Sequence, residues 1–145
     1  MKRTTGRGPK EKGKAFEREI VASILAAFPQ LSPHDVLARS MGDPGVDIIL
    51  SEAARKVLPL AIECKRVGRV ESLDLKGAME QAEANCDSTL LAPVVVFREN
   101  HHQAYAALYL GNLVDLAGFI GDGEGGALVT LYWMDLLRIL GGFNG

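Results

Sequence analysis

Cysteine is scarce in this chain of 145 residues, which has only Cys64 and Cys86. Their spacing fits no zinc motif and no secretory leader accompanies them, so a reduced, intracellular protein without a zinc site or disulfide framework is expected. Long apolar runs are missing too: none approaches the roughly 18 residues of a spanning helix. A soluble, cytoplasmic protein with no membrane partner follows as the expectation. Also absent are an internal repeat, a Walker-type glycine loop and a Ser-His-Asp arrangement, which removes repeat arrays, P-loop chemistry and triad hydrolysis from consideration. Nor is there a large excess of charge of either sign, since the formal net charge is -2.

That near-neutral total hides an uneven distribution. Lys2, Arg3, Arg7, Lys10, Lys12 and Lys14 crowd the first residues, opposed there only by Glu11. Residues 1–13 read as a flexible basic arm able to neutralise phosphates, followed by one compact domain over residues 14–145. From Lys14 to Phe28 the apolar residues Phe16, Ile20, Val21, Ile24, Leu25 and Phe28 recur at helical spacing, and Pro29 closes the helix. Glu17 shares the face of Ile20, Val21 and Ile24, whereas Glu19 is turned away. A carboxylate on an inner face is costly without a partner.

The stretch from Gly42 to Lys65 carries the chemistry. Asp47 opens the β-branched run Val46-Asp47-Ile48-Ile49-Leu50, and Leu58-Pro59-Leu60-Ala61-Ile62 leads into Glu63-Cys64-Lys65. Both acids sit beside strand-like sequence, and pairing of the two strands as a hairpin brings them together. Two adjacent buried carboxylates disfavour joint ionisation unless a cation neutralises them. A hard divalent ion, Mg²⁺ or Mn²⁺, suits two carboxylates, a backbone carbonyl and substrate phosphate. Lys65, two residues beyond Glu63, falls on the same strand face, where an ammonium can steady an attacking water or developing phosphate charge.

With Asp47 as first acid and Glu63-Cys64-Lys65 as its E-x-K, the sequence resembles the PD-(D/E)XK nuclease superfamily. Val46 stands where the proline of that name is written. The segment Lys12-Gly13-Lys14-Ala15-Phe16-Glu17-Arg18-Glu19-Ile20-Val21 narrows the likeness to the archaeal-type Holliday junction resolvases, also found in phages. The resemblance implies a metal site completed by the early helix glutamate, Glu17, with Glu19 as the fallback. It further implies a role near the scissile phosphate for Ser40 and support of the site by Gln81. Asp47, Glu63, the Cys64 carbonyl and Glu17 would hold the metal, and Lys65 would orient the water. The implied products are a 5′-phosphate and a 3′-hydroxyl, and the implied partners are branched DNA and a second copy of the chain. Arg66 and Arg69 extend the positive charge beside the site as contacts to the DNA backbone.

The rest of the chain supplies a frame. A short strand is expected at Asp35–Ser40, then a Met41–Gly45 turn in which Asp43 serves its own loop. Further expectations are a helix at Leu73–Asn85 and strands at Leu90–Phe97 and Tyr105–Leu110. His101 and His102 are adjacent and cannot readily share a metal, so they are read as turn residues. A helix at Asn112–Ile120, a glycine-rich loop at Gly121–Gly126, a strand at Ala127–Tyr132 and a helical Met134–Leu140 complete the order. Leu128, Leu131, Trp133, Leu136, Leu137, Ile139 and Leu140 are many apolar groups for one terminal segment, and some are expected to form a dimer surface. The expected fold is α/β, a mixed central sheet of about five strands flanked by helices, of restriction-endonuclease type, with the Asp47–Lys65 hairpin at its centre. Two alternatives stay open: a restriction, repair or phage DNA-processing nuclease on the same scaffold, and a non-catalytic DNA-binding protein that keeps the fold.

Overall fold

The computed structural model describes residues 9–118 and 126–144. Lys2, Arg3 and Arg7 lie outside the described residues, as do the end of the helix expected at Asn112–Ile120 and most of the Gly121–Gly126 loop. Helix α1 spans Pro9–Ala27 and buries Phe16, Ile20, Ile24 and Ala27, the face its periodicity marks. It begins five residues before the expected Lys14, so Lys10, Lys12 and Lys14 belong to the helix. Proline suits a first helical turn, and lysine and glutamate propagate it at little cost.

Strands β1 (Val36–Ala38) and β2 (Ile48–Leu50) pair antiparallel, with Val36 opposite Leu50 and Ala38 opposite Ile48. The expected hairpin between Asp47 and Lys65 does not form. Ser51 instead caps helix α2 (Glu52–Val57), its hydroxyl accepting from the Ala54 amide at 3.1 Å. Glu-Ala-Ala-Arg-Lys behind a serine cap favours a helical turn over a tight strand reversal. Chain direction then carries β3 (Leu60–Val67) into a second sheet, of order β3-β4-β5-β6. Its other strands are β4 (Ala92–Glu99), β5 (Tyr105–Tyr109) and β6 (Leu128–Tyr132). Among the described residues the architecture is therefore a four-stranded mixed sheet flanked by helices plus a separate two-stranded sheet, rather than one sheet of about five strands.

Parallel strands need a crossover, and helix α3 (Leu75–Asn85) provides it between β3 and β4. Side-chain alternation divides the sheet between two cores. Leu60, Ile62, Val94, Val96, Ala106 and Leu108 pack toward α1 and the terminal helix, while Val95, Phe97 and Ala107 pack against Ala78, Met79 and Ala82 of α3. Helix α4 (Leu110–Leu116) follows β5, and α5 (Trp133–Ile139) follows β6. Trp133, Leu136 and Leu137 are wholly buried, so much of the terminal apolar segment is core rather than free surface. The Trp133 indole donates to the Ser23 hydroxyl at 2.8 Å and joins α5 to α1. His101 occupies a turn with φ 64°, in keeping with its expected place. Among the described residues no helix is long and apolar enough to cross a membrane.

Candidate functional site

Asp47 is delivered by the loop between β1 and β2. Arg39 closes that loop, its Nε donating to the Val46 carbonyl at 2.6 Å and its amide to the Asp47 carbonyl at 2.8 Å. The guanidinium occupies space beside Gly45, where an added Cβ would stand 2.7 Å from it and where φ is +119°. Only glycine tolerates both conditions. Beyond the loop the Asp47 amide donates to the Ile62 carbonyl at 3.1 Å, and Asp47 Oδ2 accepts from the Cys64 amide at 2.8 Å. Two bonds thus dock Asp47 on the free edge of β3, which does the work expected of a hairpin ladder. Backbone groups of one strand residue point to the same side. The Cys64 carbonyl consequently faces this edge together with its amide, while the Cys64 thiol packs into the core on the α1 side. Burial, and then the charges of Asp47, Glu17 and Glu63, push that thiol well above its ordinary range, so it stays protonated.

Glu63 and Lys65 lie on the α3 face. Glu63 is only 1 % exposed, and its Oε1 accepts from the Asn85 amide at 3.2 Å. Lys65 Nζ donates to Gln81 Oε1 at 3.0 Å. Gln81 and Asn85 are one helical turn apart, so α3 presents two amides to the acid and base of β3. Gln81 was anticipated. Asn85 was not, although its i+4 spacing from Gln81 is visible in the sequence. Burial first, and then the negative charge of Asp47, push the Glu63 carboxyl up to about 7. A hydrogen bond shared with Asp47 acts in the same direction, and Asn85 and Lys65 offset part of the rise. The two acids therefore form a compressed pair that wants either a proton or a cation.

Glu17 approaches from α1 and is 8 % exposed. Lys14 Nζ pairs with its Oε2 at 3.1 Å and also donates to the Arg39 carbonyl, tying helix, acid and Asp47 loop together. Lys14, expected among the DNA contacts, thus has two partners within the protein. Burial raises the Glu17 pKa, the hydrogen bond from Lys14 opposes that, and the charge of Asp47 adds to the rise. Glu19 is engaged elsewhere, in an ion pair with Arg98, whose guanidinium lies 4.8 Å from the centre of the Phe16 ring. Of the two helix glutamates, Glu17 is the one coupled to the acidic pair. Ser40 is exposed in the loop, where its carbonyl accepts from the Asp43 amide at 3.1 Å, and its hydroxyl bonds to neither acid. Lys12 and Arg69 are exposed and Arg66 is half-buried, whereas the Lys10 side chain is outside the described residues.

Among the described residues no three His, Cys, Asp or Glu side chains are drawn to one point. The donors that do meet, the Asp47 and Glu63 carboxylates with the Cys64 carbonyl beside them, are all oxygen and carry excess negative charge. That donor chemistry fits a hard divalent cation. Neither protein-family models nor curated proteins match the sequence, and no solved structure matches the fold.

Proposed function

We propose that this chain is a metal-dependent endodeoxyribonuclease that resolves four-way DNA junctions as a homodimer. The observation that carries the reading is the coupled Asp47–Glu63 pair on the free edge of β3, with Lys65 beside it on the α3 face. Asp47, Glu63 and the Cys64 carbonyl would hold Mg²⁺ or Mn²⁺, with Glu17 as a further or water-bridged donor. Such an ion supplies Lewis-acid stabilisation of the phosphate and a more acidic bound water. The chain's own part is positional. Asn85 keeps one oxygen of Glu63 occupied, the Cys64 amide aims Asp47, and Gln81 holds the Lys65 ammonium where it can orient water and meet charge developing on the phosphate. Burial of Glu63 keeps bulk water from screening these charges.

The junction preference and the symmetry belong to the same proposal. A four-way junction has approximate two-fold symmetry, which a symmetric dimer matches with one site per opposed strand. The test is cleavage of an end-labelled immobile junction and of its matched linear duplex, with Mg²⁺, with EDTA, and with Asp47→Ala. Paired symmetric nicks confined to the junction and lost in both controls support the reading. Equal cutting of the duplex moves it to a general nuclease on the same chemistry. Full activity in Asp47→Ala would falsify the assignment of the site.

A further inference from the structure

A cavity of about 260 Å³ opens at the far end of β3 between the start of α1 and the turn after β4. Lys12, Gly13, Arg66, Val67, Gly68 and Asn100 line it. Among the described residues its only charged lining groups are the two cations. Among the described residues neither Lys12 nor Arg66 forms an ion pair, although most neighbouring charges are spoken for, Lys14 by Glu17 and Arg98 by Glu19. Two unopposed cations around a concavity, with an amide able to donate, make a receptor for an anion.

The glycines give an independent indication. Gly13 stands inside α1, where glycine costs about 1 kcal/mol relative to alanine. No packing reason demands it, for among the described residues a Cβ at Gly13 or at Gly68 meets no atom within 4 Å. Both line the cavity, so what the missing methyls preserve is room beside the two cations.

We infer that Lys12, Arg66 and Asn100, with the bare backbones of Gly13 and Gly68, form a pocket for one phosphodiester of the DNA strand near the scissile phosphate. The inference rests on the nuclease reading for its ligand. Gly13 precedes Glu17 by one helical turn, about 6 Å of rise, and Arg66 follows Glu63 by about 10 Å of strand. Successive phosphates of a strand advance about 3.4 Å along the duplex axis, so the pocket takes a phosphate up to about three nucleotides from the cut. Engagement there sets the register of the strand over Asp47 and Glu63 without reading its sequence.

The decisive variants are Gly13→Ala and Gly68→Ala, singly and together. They leave every charge in place and narrow the cavity without a clash, and Gly13→Ala favours its helix. Junction binding is measured in EDTA, where no cleavage occurs, beside Arg66→Gln. Loss of one charge-assisted hydrogen bond corresponds to about a tenfold weaker Kd, expected in the double glycine variant. Amide NMR spectra of the full chain are recorded in parallel with dimethyl phosphate and with inorganic phosphate at matched ionic strength. Shifts at Gly13, Gly68 and Asn100 with dimethyl phosphate, lost in Arg66→Gln, support the pocket even if the protein proves not to cut DNA. Normal junction binding by the double variant with silent amides overturns the pocket and leaves the nuclease reading standing. A response to inorganic phosphate alone overturns the diester assignment, and the absence of both DNA binding and amide shifts overturns pocket and DNA reading together.

Discussion

Replacing Glu63 by glutamine tests the compressed carboxylate pair directly. The isostere keeps an oxygen for Asn85 and turns the other end of the group into an amide that can donate to Asp47, so repulsion becomes a hydrogen bond. The wild-type carboxyl is displaced upward, from 4.5 to about 7, because burial and Asp47 disfavour its charge. A raised folded-state pKa means that the native state binds the proton more tightly than the unfolded chain. Stability from this source is complete below about pH 4.5, falls as pH rises toward 7, and is gone above it; the difference amounts to roughly 3 kcal/mol. In metal-free protein, urea denaturation from pH 4.5 to 8 should show wild type losing stability relative to Glu63→Gln. By pH 8 the variant should be the more stable by about 2 to 3 kcal/mol, while lacking cleavage activity. Taking the difference between the two proteins removes the contribution of Glu17, whose pKa is raised in the same direction. Mg²⁺ at about 100 times its Kd should then restore about 2.7 kcal/mol to wild type and much less to the variant. A pH-independent difference, or equal stabilisation by Mg²⁺, would refute the reasoning.

Lys14→Met strands the buried Glu17 carboxylate without its partner and should cost about 2 kcal/mol at pH 7 by urea denaturation, with the deficit shrinking toward pH 4 as Glu17 protonates. Gly45→Ala forces a side chain onto φ +119° and against Arg39; a loss of about 2 kcal/mol is expected, with a lower kcat because the Asp47 loop shifts. Gln81→Ala releases Lys65 and should slow cleavage about tenfold while junction affinity measured in EDTA stays unchanged. Ser23→Ala leaves the buried Trp133 indole N–H unpaired and should lower stability by about 1 to 2 kcal/mol in the same denaturation assay, without affecting cleavage.

Asp47, Glu63, Lys65 and Glu17 were legible as candidates in the chain before any fold was known, whereas Asn85 was not. Asp47 and Glu63 announce themselves as acids at the ends of apolar, strand-like runs, and the two-residue step from Glu63 to Lys65 sets both on one face by strand geometry alone. The inward turn of Glu17 followed from helical periodicity, and burial of Phe16, Ile20 and Ile24 on the same helix agrees with it. Such readings succeed because they depend on contacts within one element, where spacing and direction are tied together.

Other features required contacts between elements distant in sequence. Ser51 and its helix replaced the expected hairpin, so Asp47 reaches β3 through two isolated hydrogen bonds instead of a ladder. Lys14 looks like part of a basic arm until α1 packs against the Asp47 loop and commits its ammonium to Glu17. Asn85 becomes a partner of Glu63 only because the β3–α3–β4 crossover lays that helix on one face of the sheet. Leu136 and Leu137 look equally suited to an interface and to a core, and the closure of α5 on α1 decided for the core. Sequence determined which groups carry charge and which face of its own element each one takes. Tertiary structure decided which charges meet, and therefore which are neutralised by a neighbour and which, like Asp47 and Glu63, are left pressed against each other.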